Sequence, residues 1–240
     1  MMKNKHRKVG WLTVFNEQYC EIFCNYDFDI ICVDLEHSQI SLSEAAKLIR
    51  IITLKKKKAF IRLTSKNMPD LNRYLDAGID GIIVPDVKNI DECEIIKNKL
   101  YYPPLGKRGV GLNRANKFGD NFEKYFNNNS KKIEFICIIE SKNAVNNLNS
   151  IINYKYLDGI MIGPYDLSAS LGIPGKFNST TFKNCLKIIE QKTKKSKKIL
   201  GIHVVEPNKK LVNHFANKKY NFIVYSLDTV LIKDSIKKIF

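Results

Sequence analysis

Phe135-Ile-Cys-Ile-Ile-Glu140 is an apolar run of strand length that stops on an acid, and Gly159-Ile-Met-Ile-Gly-Pro-Tyr-Asp166 repeats the arrangement with its acid on the turn beyond the run. A carboxylate at the end of a buried strand is costly to desolvate, so it belongs at a pocket mouth, bound to a partner charge or a metal ion. Glu140 and Asp166 therefore point to a divalent-cation site. Outward from this pair, six further segments have the same form: Val9–Val14, Ile30–Asp34 with Glu36 and His37 behind it, Ala59–Leu63, Gly81–Pro85, Ile199–Val205, and Phe222–Ser226 followed by Asp228. Near-continuous apolar runs of this length suit parallel strands covered on both faces. Eight βα units in 240 residues match the (β/α)8 TIM barrel, whose usual size is about 250 residues and whose active site lies at the C-terminal ends of the strands. Glu36, His37, Arg62, Glu140, Asp166 and Asp228 are then expected to converge on one face.

The length points to a single barrel domain over residues 1–240, and nothing resembles a linker. No apolar run approaches membrane-spanning length. The start, Met1-Met-Lys-Asn-Lys-His-Arg-Lys8, is basic, but the apolar stretch after it is broken by Asn16, Glu17 and Gln18, too soon for a secretory leader. A cytoplasmic location is expected, with no membrane partner. Six cysteines without CxxC spacing argue against a disulfide framework or a zinc cage and read as packing residues, Cys32 and Cys137 inside strand runs and Cys20 and Cys24 on one face of a helix. The net charge of +16 comes from lysines spread through Lys55–Lys58, Lys131–Lys132, Lys194–Lys198, Lys209–Lys210 and Lys218–Lys219. They carry neither interleaved aromatics nor a reader motif, so solvated faces are expected rather than a nucleic-acid surface.

Helix signals fill the gaps between the runs. Ser41–Arg50 opens on a serine with an early acid, and Met68–Gly78 ends on a glycine suited to a C-cap. Ile90–Leu100, Ser179–Thr193, Asn208–Ala216 and Thr229–Ile239 supply further covering helices. Tyr101–Arg114, with paired prolines and three glycines, reads as a long irregular loop expected to overhang the pocket, where Arg108 and Arg114 could meet a substrate carboxylate or a neighbouring subunit.

Two carboxylates with open coordination positions suit Mg2+ or Mn2+, with Co2+ also compatible, and a 2-oxo acid can chelate such an ion through its carboxylate and keto oxygens. Arg62 is placed to make a bidentate contact to that carboxylate, a geometry lysine cannot reproduce. His37 suits proton transfer because its ordinary pKa lies near neutrality. No lysine stands at the end of a candidate strand to form a Schiff base, which favours a metal-dependent route.

Asp34-Leu-Glu-His37, Leu75-Asp-Ala-Gly78 with Gly81-Ile-Ile-Val-Pro85, Tyr102-Pro-Pro-Leu-Gly-Lys-Arg-Gly109, Ile139-Glu140 and Gly163-Pro-Tyr-Asp-Leu-Ser168 together resemble the HpcH/HpaI aldolase family, in order from about residue 9 to residue 232. The resemblance implies a barrel of the phosphoenolpyruvate/pyruvate superfamily and class II aldol chemistry: reversible cleavage of a 4-hydroxy-2-oxo acid to pyruvate and an aldehyde. It implies Glu140 and Asp166 as metal ligands, Arg62 as the pyruvate-carboxylate contact, His37 as the base, Asp76 as the carboxylate pairing with His37, and Gly163 and Pro164 as lining of the pyruvate pocket. It also implies a homo-oligomer, a hexamer or trimer, with small-molecule 2-oxo acid and aldehyde as partners. Three positions depart from the family pattern: Ile138 in place of a glutamine, Asp86 in place of a methionine, and Ser38 in place of a small residue. These bear on the aldehyde, and an additional acid at Asp86 is expected to disfavour a dicarboxylate acceptor. The competing readings are a CoA-thioester lyase of the citryl or malyl type on the same barrel, and a non-catalytic, basic nucleic-acid-binding barrel.

Overall fold

The computed structural model describes residues 6–240, and the start of the basic N-terminal segment, residues 1–5, lies outside them. Eight parallel strands close into a barrel in chain order: β1 (Arg7–Leu12), β2 (Ile30–Asp34), β3 (Lys58–Arg62), β4 (Gly81–Val84), β5 (Glu134–Ile139), β6 (Gly159–Ile162), β7 (Ile199–Val204) and β8 (Phe222–Tyr225). Every expected run becomes a strand, and β8 closes on β1 with Phe222 opposite Arg7. The covering helices are α1 (Glu17–Asn25), α2 (Leu42–Leu54), α3 (Leu71–Ala77), α4 (Ile90–Leu100), α5 (Phe122–Asn127), α6 (Lys142–Asn146), α7 (Leu148–Ile152), α8 (Pro164–Ser170), α9 (Thr180–Ser196), α10 (Lys209–Asn217) and α11 (Asp228–Lys237). Ser41 and Glu44 form a capping box at the start of α2, and Gly78, with φ 94°, ends α3 in the left-handed region. The helices the sequence reading passed over, α5 to α8, have only five to seven residues, too few for a 3.6-residue period to show. Among the described residues no helix is long and apolar enough to cross a membrane, and all six cysteines are buried and free.

Side chains on a barrel strand alternate between the lumen and the helices. The lumen is packed by Val9, Trp11, Ile30, Cys32, Phe60, Ile83, Ile136, Ile138, Met161, Phe222 and Val224. Large and small residues are matched across neighbouring strands, since a Cβ on Gly81 would lie 2.3 Å from the Phe60 ring and one on Gly201 would lie 3.0 Å from Phe222. The second, larger cluster lies between the outer strand faces and helix residues such as Leu48, Ile52, Ile96, Leu148 and Ile189.

Stepping two residues further along each inward-facing series gives the site. After Cys32 comes Asp34, after Phe60 comes Arg62, after Ile138 comes Glu140, after Gly201 comes His203, and after Val224 comes Ser226. The top lumen layer is polar where the layers beneath it are apolar.

The opposite end of the barrel repeats one device four times. Just before each even-numbered strand a short polar side chain accepts a hydrogen bond from an amide near the start of the preceding strand. Asp29 takes Lys8 N (2.8 Å), Asp80 takes Ala59 N (2.9 Å), Asp158 takes Phe135 N (2.7 Å) and Asn221 takes Leu200 N (2.9 Å). These groups hold strand pairs in register at the N-terminal face.

Candidate active site

The chain leaves each strand at the C-terminal end, and there a cavity of about 300 Å³ is lined by residues from several units, among them Trp11, Asp34, His37, Arg62, Glu140, Gly163, Pro164, Asp166 and His203. The structure thus brings together His37, Arg62, Glu140, Asp166, Gly163 and Pro164 as the sequence predicts. Among the described residues no lysine lines this cavity.

Arg62 is held from both sides. Its Nε donates to Asp34 Oδ1 at 2.8 Å, Nη2 donates to Asp34 Oδ2, and Nη1 pairs with Glu36 at 3.0 Å. The guanidinium also lies 5.3 Å from the Trp11 ring centroid, and the Trp11 indole N–H donates to Asp34 at 3.1 Å. Burial opposes ionisation of Asp34, but Arg62, Trp11 and the His37 amide outweigh it and hold the carboxyl below the ordinary aspartate range. Arg62 is likewise desolvated, and Asp34 and Glu36 more than restore its proton affinity. A planar cation fixed in this way keeps N–H groups on Nη1 and Nη2 for an incoming carboxylate.

Glu140 lies under the opposite influence. Burial pushes its carboxyl up to about 7; Asp166 and Glu36 push the same way, and the Asp86 amide and Arg62 pull against them. Asp86 N donates to Glu140 Oε1 at 2.5 Å, and a Cβ on Gly163 would come within 2.8 Å of Oε2, so one oxygen is held by backbone and the other needs glycine beside it. Asp166 sits in the first turn of α8. Glu140 and Asp166 therefore concentrate negative charge that, among the described lining residues, only Arg62 opposes. Among the described residues no third histidine, cysteine or acid joins them in a metal-binding group. Two carboxylates short of positive charge fit a hard divalent ion that takes its remaining ligands from water and substrate.

Several expectations are corrected. Asp228 is a structural acid: it is buried and accepts from Thr13 N (2.8 Å), Thr13 Oγ1 (2.5 Å), Val14 N (3.0 Å) and Thr229 N (2.8 Å), which ties β8 to β1. Asp86 is not among the residues that line the cavity, and its carboxylate is paired with Lys88 (2.8 Å) and Lys66 (3.8 Å). Its φ of 51° is one that aspartate tolerates better than most residues. The segment Tyr101–Arg114 does not overhang the cavity. It follows the C-terminus of a helix rather than of a strand, which puts it at the N-terminal face, where Arg108 N donates to Tyr101 O and Arg114 donates to Ala77 O (3.0 Å) and Thr53 Oγ1 (2.5 Å). Asp76, in the last turn of α3, is at that same end. It accepts from Arg108 Nη2 at 2.7 Å and lies outside the cavity that His37 lines.

Four lining residues were missed as functional candidates: Trp11, Asp34, Thr13 and His203. Asp34 and His203 share one signal, a polar residue at an inward-facing position of an otherwise apolar strand. Trp11 and Thr13 carry none that a single sequence provides.

A model of the family described as HpcH/HpaI aldolase/citrate lyase matches residues 7–234. The chain is 26% identical over 228 residues to the 2-keto-3-deoxy-L-rhamnonate aldolase of Escherichia coli O157:H7, which covers 94% of this chain and 84% of that protein. In fold it is similar to an HpcH/HpaI aldolase/citrate lyase family protein from Burkholderia cenocepacia J2315, with a TM-score of 0.92, 21% identity and coverage of 98% and 93%. It also resembles the protein CITE from Mycobacterium tuberculosis in complex with magnesium and acetoacetate, with a TM-score of 0.59, 13% identity and coverage of 94% and 87%.

Proposed function

The chain belongs to the HpcH/HpaI aldolase/citrate lyase family, a family of carbon–carbon lyases, and from that premise we propose that it is a class II aldolase that reversibly cleaves a 4-hydroxy-2-oxo acid to pyruvate and an aldehyde. The observation that carries this reading is the pairing, in one cavity, of a rigidly held cation with two under-neutralised acids. Glu140 and Asp166 would hold the ion, Mg2+ or Mn2+, and magnesium accompanies acetoacetate in the CITE complex on a barrel of the same kind. Bound there, the ion supplies positive charge that polarises the keto group of the 2-oxo acid.

Arg62 binds and orients the substrate carboxylate through the N–H groups that Asp34 and Glu36 leave free. His37 takes the proton from the C4 hydroxyl oxygen, so that C4 becomes the aldehyde carbon as the C3–C4 bond breaks, and C3 is then protonated to give the pyruvate methyl group. Trp11, Ile138 and Met161 form an apolar floor that limits water around the reacting carbons. Among the described residues Arg62 is the only arginine or lysine in the lining and serves the pyruvate end, which favours an aldehyde without a negatively charged group. The name of the Escherichia coli relative, a deoxy-sugar-acid aldolase, supports the same substrate class.

Asp76 stands at the far end of its own barrel, so its pairing with His37 requires a neighbouring copy of the chain. Ile236 in the last turn of α11, with Ile239 and Phe240 beyond it, is exposed apolar surface suited to such a homo-oligomer.

The test is release of pyruvate from 2-keto-3-deoxy-L-rhamnonate and other 4-hydroxy-2-oxo acids by Mg2+-loaded protein, followed with lactate dehydrogenase. Release from at least one of them is expected. A folded, metal-loaded protein inert toward all of them contradicts the reading.

A further inference from the structure

One sector of the cavity, contributed by the segments at the ends of β7, β8 and β1, contains none of the residues assigned above to the metal ion or the pyruvate carboxylate. It is formed by His203, Val205, Leu227, Thr229 and Thr13. Its chemistry follows from where its protons already go.

His203 Nε2 lies 3.1 Å from the carbonyl oxygen of Ser226. A carbonyl only accepts, so Nε2 carries the hydrogen and Nδ1 of the neutral ring is a bare acceptor. Burial pushes the His203 pKa down to about 4, with Arg62 acting in the same direction, so the neutral tautomer persists at physiological pH. The ring is further fixed against Trp11, with centroids 4.9 Å apart. Among the described residues Nδ1 has no protein partner, and it is not among the atoms sealed from solvent. Thr13 shows the same polarity independently. Its Oγ1 gives its proton to Asp228 at 2.5 Å, which leaves only lone pairs for a ligand.

Two groups of the same lining therefore offer acceptors and hold no donor in reserve. Pyruvate cannot satisfy them, because its carboxylate and keto oxygens are acceptors too. A hydroxyl group can. We propose that His203 recognises, through Nδ1 and with Thr13 of the same lining, a hydroxyl group on the aldehyde half of the substrate, making His203 a specificity-determining residue for hydroxylated aldehydes. The assignment rests on the aldolase reading and narrows its substrate class. A site built to bond a hydroxyl rejects the analogue lacking it more strongly than an apolar pocket rejects an extra methylene.

Glycolaldehyde and acetaldehyde differ by one hydroxyl, and their addition to pyruvate in the presence of Mg2+ measures this recognition. The readout is the ratio of kcat/KM for the two aldehydes, which cancels general damage to the site. His203→Leu is expected to lower the glycolaldehyde-to-acetaldehyde ratio at least tenfold, and His203→Gln, which restores an acceptor oxygen, to recover most of it. A ratio unmoved by His203→Leu overturns the assignment, as does an equal fall in the glutamine variant. If the leucine variant does not fold, the wild type answers alone: the Nδ1 nitrogen resonance of His203 moves on adding 4,5-dihydroxy-2-oxopentanoate and stays put on adding 4-hydroxy-2-oxopentanoate, and equal behaviour with both overturns the proposal. Wild-type protein that adds neither aldehyde to pyruvate fails in a different way, overturning the aldolase reading itself and the proposal with it.

Discussion

The two ends of this barrel use the same residue types to opposite effect. At the N-terminal face, Asp29, Asp80 and Asp158 each accept a strand amide, and Glu134 is paired with Arg7 at 2.6 Å and Lys58 at 2.7 Å. Glu134 is desolvated, yet its two cations outweigh that and hold its carboxyl below the ordinary glutamate range. At the C-terminal face Glu140 is desolvated too, but its neighbours are Asp166 and Glu36, and its carboxyl is pushed up to about 7. Burial is common to both ends, so the difference lies in the company each acid keeps. For these two glutamates the partners decide: Glu134, with two cations, serves the fold, whereas Glu140, beside two further acids, is short of positive charge.

That contrast can be broken by substitution at either end. The largest effect is expected from Asp166→Ala, which should lower turnover by at least about a thousandfold, with loss of divalent-ion dependence, and leave the melting temperature close to wild type because Asp166 is exposed. Turnover and melting curves on the same preparation check both halves. Arg62→Ala belongs to both categories. It removes the proposed substrate-carboxylate contact and leaves Asp34, 1% exposed, as a buried charge without its cation, a loss of about 3–5 kcal/mol in stability that denaturant unfolding would register together with the expected loss of activity. Asp158→Ala should do the reverse of Asp166→Ala, costing about 1–3 kcal/mol by orphaning the Phe135 amide, with kcat retained. If that variant lost turnover at unchanged stability, the division between the two ends would fail.

A smaller effect sharpens the picture of the upper end. His203 has a folded pKa of about 4, below the ordinary value of about 6.5. Between those values the unfolded chain takes up a proton that the native ring refuses, so the stability contributed by His203 is complete above about pH 6.5 and is lost as pH falls toward 4. The loss amounts to up to about 3 kcal/mol. Urea unfolding across pH 4–7 should show this slope in the wild type and a shallower one in His203→Gln.

The fold was legible because the strands declare themselves. Apolar runs such as Ile30–Asp34 and Phe135–Ile139 are buried along almost their whole length, and helix caps at Ser41 and Gly78 mark the intervening elements. The sequence placed Arg62, His37, Glu140 and Asp166 at one cavity because each closes a strand or lies within four residues of its end. The expected overhang of Tyr101–Arg114 failed, and Asp76 lies away from the cavity of its own barrel, because a (β/α)8 chain reverses direction in every unit. A residue closing a helix stands at the face opposite one closing a strand, and a long loop is catalytic only at the right end. Asp228 misled for another reason: its place after a strand is that of a site residue, and only its four donors reveal a structural acid. For His203 the inward-facing position was readable, but its tautomer was not, because that depends on the Ser226 carbonyl, a partner 23 residues away.

The central claim is that the C-terminal face of this barrel generates a pyruvate enolate with the help of a divalent ion. Exchange of pyruvate methyl protons into heavy water, followed by NMR with Mg2+ or Mn2+ and then with excess chelator, tests it without any knowledge of the aldehyde. The account predicts exchange that depends on the metal and disappears on chelation and in His37→Ala. Absence of exchange from a folded, metal-loaded protein, or exchange indifferent to the chelator, would contradict it.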